Sequence, residues 1–198
     1  MTAEGPVPPH GEPTGETAWD GDAYQRRFDR LAASGTDVHG EADLVARLGP
    51  SSVLDAGCGT GRVAAELHRR GIDVVGIDRD ASMIRTARAL APDIEFAVLD
   101  VVDADLGRTF DLVVMAGNVP LFTPAGSQGG LVAGCARHLA VFGRLLVGFQ
   151  LGRGYLLEQY DDHCRDAGLV LEERWSTWGR DPFTPDADYA VSLHRRRT

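Results

Sequence analysis

The sequence predicts an α/β fold: a mostly parallel sheet with helices on both faces, ending in an antiparallel hairpin. Three observations carry this. From residue 50 onward, short β-branched runs alternate with helical patterns, the signature of parallel strands joined by crossover helices. Several of those runs are apolar nearly throughout, as expected of strands covered on both faces. The last two strand-like runs have no helix between them, because the linker Gly179-Arg180-Asp181-Pro182-Phe183-Thr184-Pro185 holds two prolines and cannot be a helix interior.

Taken in order, residues 1–18 are rich in Pro, Gly, Glu and Thr and read as a disordered tail. They lack the basic start and apolar core of a signal peptide. Residues 19–33 place Tyr24, Phe28 and Leu31 at i, i+4 and i+7, which predicts an amphipathic helix, and a second, shorter helix follows at 41–48. The segment 19–49 precedes the first strand, so its helices are placed to cover the open end of a site. Strands are predicted at 52–55, 74–78, 95–99, 111–116 and 144–149, with helices at 62–70, 81–90, 129–139 and 155–167. Gly71 and Gly168 fall just past helix ends, where a left-handed cap favours glycine. The terminal hairpin is formed by 169–175 and 189–193. We therefore expect one domain over 19–198, with its α/β core at 50–198.

Composition narrows the function classes. Of the 198 residues, 43% are hydrophobic and 25% charged, as in a globular domain. No apolar stretch has the length needed to cross a bilayer, so a cytoplasmic location is expected and no membrane partner. The formal net charge of −9 argues against a nucleic-acid partner, whose phosphates demand clustered Lys and Arg. Only His194-Arg195-Arg196-Arg197 is strongly basic, and it reads as a frayed, solvated terminus. Cys58, Cys135 and Cys164 show neither metal-ligand nor disulfide spacing, so no metal is expected.

The chemistry centres on Gly57-x-Gly59-x-Gly61, which follows a strand and opens a helix. Glycines there allow a tight turn and close approach of a ligand, and the helix start offers free N–H groups. The dinucleotide pattern wants a glycine at position 62, where this chain has Arg62. Cys58 fills a loop position that needs a small residue. Asp55, at the strand end, supplies a carboxylate suited to a cationic amino group. Asp78 ends the second strand about 20 residues beyond the loop, where an acid accepts from a ribose diol; as a helix cap it is less well placed than Asp80. Asp100 ends the third strand, either as an acceptor for an adenine amine with Val101 N–H beside it, or as a turn-former in an Asp-rich segment.

The run Asp55-Ala56-Gly57-Cys58-Gly59-Thr60-Gly61, then Gly76-Ile77-Asp78, Leu99-Asp100-Val101 and Phe110-Asp111-Leu112-Val113-Val114, all in this order, resembles the class I S-adenosylmethionine-dependent methyltransferases over roughly residues 40–198. The resemblance implies a Rossmann-like three-layer α/β/α sandwich whose seven-stranded, mostly parallel sheet ends in an antiparallel C-terminal strand. It implies S-adenosylmethionine as cofactor and S-adenosylhomocysteine as product. Gly57, Gly59 and Gly61 would border the methionine part, Asp78 the ribose, Arg79 and Met83 the adenine faces, Asp100 and Val101 the adenine edge, and Ala116-Gly117 would touch the cofactor from the fourth strand. Val141-Phe142-Gly143 stands where the family commonly has a Pro-Gly-Gly turn.

The acceptor half is less legible. The segment from Met115 to Phe122 only loosely resembles the Asn-Pro-Pro-aromatic motif of amino-group methyltransferases, because Val119 replaces the first proline. Asn118 either holds a substrate polar group or ties its own loop. Among the six histidines, His39 is the candidate base, with a helix-start role as the alternative; His68 and His138 read as solvated helix residues, and His163 has no evident link to the site. Arg30 and Arg62 are each able to pair with a carboxylate, and Arg62 reads equally well as a surface charge. Tyr24 and Phe28 belong to a core stripe or face the substrate. A sulfonium methyl is already activated, so the enzyme must chiefly align a nucleophile and exclude water. With no insertion for a separate substrate domain, a small-molecule acceptor is expected, on a monomer or homodimer; an RNA or protein methyltransferase and a non-catalytic cofactor-binding protein are the alternatives.

Overall fold

The computed structural model describes residues 20–35 and 37–197; the tail expected at 1–18 lies outside the described residues. Helix α1 (Gly21–Ala33) starts where Asp20 accepts from the N–H groups of Asp22 and Ala23 at 3.1 and 3.2 Å, which is side-chain capping of an otherwise open helix end. Helix α2 (Gly40–Leu48) follows, and then the alternation begins: β1 (Ser52–Ala56), α3 (Arg62–Arg69), β2 (Asp73–Asp78), α4 (Ala81–Leu90), β3 (Glu95–Val98), β4 (Phe110–Met115), α5 (Val119–Phe122), α6 (Gln128–Arg137), β5 (Leu139–Gln150), α7 (Leu157–Asp166), β6 (Leu169–Trp175) and β7 (Tyr189–Arg196).

The seven strands form one sheet in the order β3-β2-β1-β4-β5-β7-β6. Strands β1 to β5 run parallel, and β7 is antiparallel to both β5 and β6, so a single strand is reversed. Chain order changes direction between β1 and β4, which opens a crevice beyond the carboxyl ends of those strands. Two apolar layers cover the sheet. One packs Leu44, Leu67 and Ile84 of α2, α3 and α4 on Val53, Leu112 and Leu146; the other packs Leu131 of α6 and Tyr160 of α7 on Leu54, Val113 and Leu145. Period-2 alternation sends successive side chains of β1, β4 and β5 to opposite layers, so those strands must be apolar almost throughout.

Four departures from the sequence reading have local causes. Helix α6 ends at Arg137, and β5 begins at Leu139, paired with Phe110 ahead of a register shift. His138, expected to be solvated, is instead buried: its Nδ1 lies 2.8 Å from the Gly134 carbonyl, and its Nε2 accepts from Leu106 N–H at 3.2 Å. The C-terminal basic residues are not frayed. Strand β7 continues through them to Arg196, with His194 buried, Arg195 paired to Glu172 at 2.6 Å and Arg196 donating to Leu139 O at 2.6 Å. Finally, the one-turn helix α5 was not foreseen; it follows a residue, Asn118, with φ +67°.

Among the described residues, no helix is long and apolar enough to cross a membrane, and no group of three His, Cys, Asp or Glu side chains is placed to hold a metal.

Candidate cofactor and acceptor site

The loop after β1 is built by its backbone. The N–H groups of Gly57 and Cys58 both donate to Ile77 O, at 2.8 and 2.9 Å, and Gly61 N–H closes the turn on Cys58 O at 2.9 Å. Gly57 and Gly61 have φ of +78° and +79°, in the left-handed region that penalises a side chain. Space is also missing: a Cβ on Gly57 would lie 2.7 Å from Val119 Cγ2, and one on Gly61 2.7 Å from Phe96 Cζ.

Carboxylates surround this loop. Asp78 accepts from Gly59 N–H through Oδ2 and from Asp80 N–H through Oδ1, each at 2.9 Å. Burial raises its pKa despite those two donors. The cap of α4 is Asp80, which accepts from Ser82 and Met83 N–H at 2.7 and 3.2 Å, so Asp78 is free of that duty. Asp55 is buried below the loop, with Oδ2 accepting from Ala64 N–H at 3.1 Å. Its pKa is pushed up to about 7, chiefly by burial, and the nearby Arg62 only partly offsets this.

Arg62 is not a surface charge. Its guanidinium makes a two-point pair with Glu41 (2.6 and 3.1 Å), donates to Val38 O and lies 4.8 Å from the centroid of the Phe28 ring. A cation in the first turn of α3 opposes the helix dipole, and the buried Glu41 carboxylate compensates it. This cluster joins α1, α2 and α3. Arg30, by contrast, is exposed.

Helix α1 lies across the loop. Thr60 Oγ1 donates to Gln25 Oε1 and Thr86 Oγ1 to Asp22 Oδ1, both at 2.7 Å, while the Tyr24 ring stands 3.8 Å from where a Gly59 Cβ would be. Tyr24 and Phe28 are half-buried and pack on each other at 5.1 Å. On the β3 side, Asp100 is exposed and accepts from Val102 N–H at 3.0 Å, the geometry of a turn-former; Val101 and Met83 are buried and Arg79 is exposed.

At the end of β4, Ala116 is half-buried and Gly117 (φ +73°) has open space where a side chain would be. Asn118 is buried, and its Oδ1 accepts from Gln150 N–H at 2.7 Å, tying this loop to β5 rather than to its own backbone. His39 is exposed at the start of α2, with its N–H on Asp37 Oδ1 at 2.8 Å and no side-chain cap bond. His68 is exposed, and His163 bonds Tyr155 OH at 2.7 Å in the opposite layer.

Sequence reasoning missed Gln25, Glu41, Thr60, Gln150, Trp178 and Tyr189. Trp178 lies on β5 where Gly148 has no side chain: a Cβ there would be 2.3 Å from its ring. Its indole N–H donates to Tyr189 OH at 3.3 Å. A glycine inside a strand signals such close approach, so Gly148 was the available clue. The other pairings join residues distant in sequence and leave no local trace.

Residues 53–143 match the family model of a methyltransferase domain. The crystal structure of a TehB-like SAM-dependent methyltransferase from Corynebacterium glutamicum aligns with a TM-score of 0.85 and 33% identity, covering 89% of this chain and 98% of that one. The chain belongs to the S-adenosylmethionine-dependent methyltransferases. The chain is also 34% identical over 127 residues to the dTDP-3-amino-3,4,6-trideoxy-alpha-D-glucopyranose N,N-dimethyltransferase of Streptomyces venezuelae, a match spanning 63% of this chain and 52% of that protein. A SAM-bound amino pentose methyltransferase from Micromonospora echinaspora shares the fold, with a TM-score of 0.72 at 19% identity over 95% of this chain and all of that one. The chain spans about a third to a half of the length of the curated relatives it matches.

Proposed function

We propose that this methyltransferase moves the methyl group of S-adenosylmethionine to a small-molecule acceptor, and that the crevice between β1 and β4 is where it does so. The observation that carries the reading is the joint placement of the glycine loop, Asp55, Asp78 and the open side of Gly117 at the point where strand order reverses. The site fits the cofactor. Val119 and Phe96 fill the space a side chain on Gly57 or Gly61 would need, so the loop must stay glycine, while the buried Asp55 and the half-buried Asp78 suit a cationic amino-acid end and a ribose diol.

In this reading Gly57, Cys58, Gly59 and Gly61 border the methionine part and Asp55 its ammonium group. Asp78 takes the ribose, Arg79 and Met83 flank the adenine, Asp100 and Val101 address its edge, and Ala116 and Gly117 lie beside the methyl. The cofactor supplies an electrophilic methyl on sulfonium. The chain's own part is to align the acceptor and keep water out, with α1, α2 and the β6–β7 loop as cover. Asn118 supports the acceptor loop through its bond to Gln150, and His39, exposed at the start of α2 with its backbone carbonyl accepting from Asp43 N–H and no side-chain cap bond, stands as the candidate base. The cover formed by two short helices and one loop favours a small acceptor, as do the amino-sugar methyltransferases among its relatives.

Methyl-labelled S-adenosylmethionine tested against nucleotide-linked amino sugars, phenols, thiols, bulk tRNA and protein decides the matter. Label transfer to a small molecule supports the proposal. Transfer to RNA or protein alone, or cofactor binding with no turnover on any pool, overturns it.

A further inference from the structure

Strand β5 ends at Gln150, beside the loop that carries Gly117 and Asn118. Directly opposite residues of antiparallel strands send their side chains to the same face. Gln150 is paired with Tyr189, Gly148 with Val191 and Leu146 with Leu193, and Val191, Leu193 and Leu146 all belong to the layer under α2 and α3. Gln150 therefore projects on the face of Tyr189 and Trp178, one strand from Ala116, which packs in the same layer.

Among the described residues, Gln150 Oε1 is the one buried side-chain nitrogen or oxygen without a hydrogen-bond partner. The residue as a whole is half-buried, while its amide oxygen is enclosed. The neighbouring polar groups have partners: Gln150 N–H donates to Asn118 Oδ1, Tyr189 OH accepts from the Trp178 indole, and Glu41 pairs with Arg62. An orphaned buried amide oxygen is destabilising, and it is explained where a ligand brings the missing donor.

We propose that Gln150 is a specificity-determining residue of the acceptor site, its amide oxygen taking an N–H or O–H of the incoming acceptor. This rests on the methyltransferase reading above and deepens it: the acceptor carries an amine or hydroxyl group that meets this oxygen. Gln150 positions; it exchanges no proton, and its oxygen accepts one hydrogen bond without changing its bonding.

The test compares the full-length chain with Gln150→Met, a substitution close in length that removes the polar head. Without acceptor, the variant should melt at the same temperature or up to about 4 °C higher, because an unsatisfied buried group has gone. Its affinity for S-adenosylhomocysteine should stay within about twofold. With saturating labelled S-adenosylmethionine and the best acceptor from an amine, alcohol and thiol panel, the acceptor KM should rise at least about tenfold while kcat stays within about threefold. A melting temperature lowered by about 4 °C or more would assign the amide to the folded protein, and an unchanged acceptor KM or a best acceptor without any N–H or O–H group would equally overturn the proposal. Failure of the unmodified chain to bind S-adenosylhomocysteine would instead sink the methyltransferase reading itself.

Discussion

Gly59 donates its N–H to Asp78 Oδ2 over 2.9 Å, so the loop after β1 is fastened to the end of β2 by the same carboxylate that we propose takes a ribose. The bond holds the loop in a ligand-ready shape before any ligand arrives. Its second oxygen is held by Asp80 N–H, which fixes the carboxylate plane as well.

Removing that carboxylate should cost binding more than folding. Asp78→Ala removes the acceptor of two backbone N–H groups, those of Gly59 and Asp80, and the proposed ribose partner. We expect a fall in S-adenosylhomocysteine affinity of about 30-fold or more, with a melting temperature reduced by only about 2–6 °C. Calorimetric titration beside thermal unfolding checks the split, and an unchanged affinity would remove Asp78 from the site.

Asp55 makes both stability and binding depend on pH. Its pKa is about 7 in the folded chain, against about 3.9 for an unfolded aspartate, so the folded state holds an extra proton between those values. The contribution is present below the unfolded pKa and is lost as pH rises towards 7, so this group lowers stability across that window. Asp55→Asn should therefore stabilise the free protein at pH 8 relative to the unmodified chain, by an amount on the order of 2–3 kcal/mol. A cationic ligand needs the ionised form, so unmodified protein should bind S-adenosylhomocysteine about tenfold more weakly at pH 6 than at pH 8, while Asp55→Asn loses that dependence. Titrations across pH 6–8 would refute this if affinity were flat.

Gly57 tests the tightness of the loop. Gly57→Ala meets both the positive φ and the Val119 methyl at 2.7 Å, and should cost about 2–4 kcal/mol of stability. Val119→Ala in the same chain should return about 1 kcal/mol of this by clearing the contact, leaving the backbone penalty in place. Denaturant titration of the two single variants and the double variant measures that coupling, and strict additivity would contradict it.

The Glu41–Arg62 pair predicts an asymmetry. Glu41→Ala strands a largely enclosed guanidinium at the start of α3 and should cost about 2–4 kcal/mol, whereas Glu41→Ala with Arg62→Met should be milder than Glu41→Ala alone. A double variant no more stable than Glu41→Ala would show that the ion pair does not govern this junction.

The fold was legible because it is written in local patterns. Most strand and helix positions from Ser52 to Trp175 follow from period and from glycine placement, apart from α5 and the early start of β5, and the prolines at 182 and 185 announced the hairpin. The proposed cofactor half was located in the sequence for the same reason: Asp55 and Asp78 close strands β1 and β2, and Gly57, Gly59 and Gly61 form the loop that follows β1. The acceptor half was not, since Glu41–Arg62, Thr60–Gln25, Asn118–Gln150 and Trp178–Tyr189 are tertiary pairings between elements. His138 shows the opposite failure: its helical spacing read as exposed, but the start of β5 closes over it.

Isothermal titration of the unmodified chain with S-adenosylhomocysteine at pH 8, repeated with Asp78→Ala, tests the central claim most directly. A site with these carboxylates and this loop predicts one cofactor per chain with a dissociation constant in about the micromolar range, weakened about 30-fold or more by the substitution. No heat of binding from the folded, unmodified protein would contradict the assignment of the glycine loop.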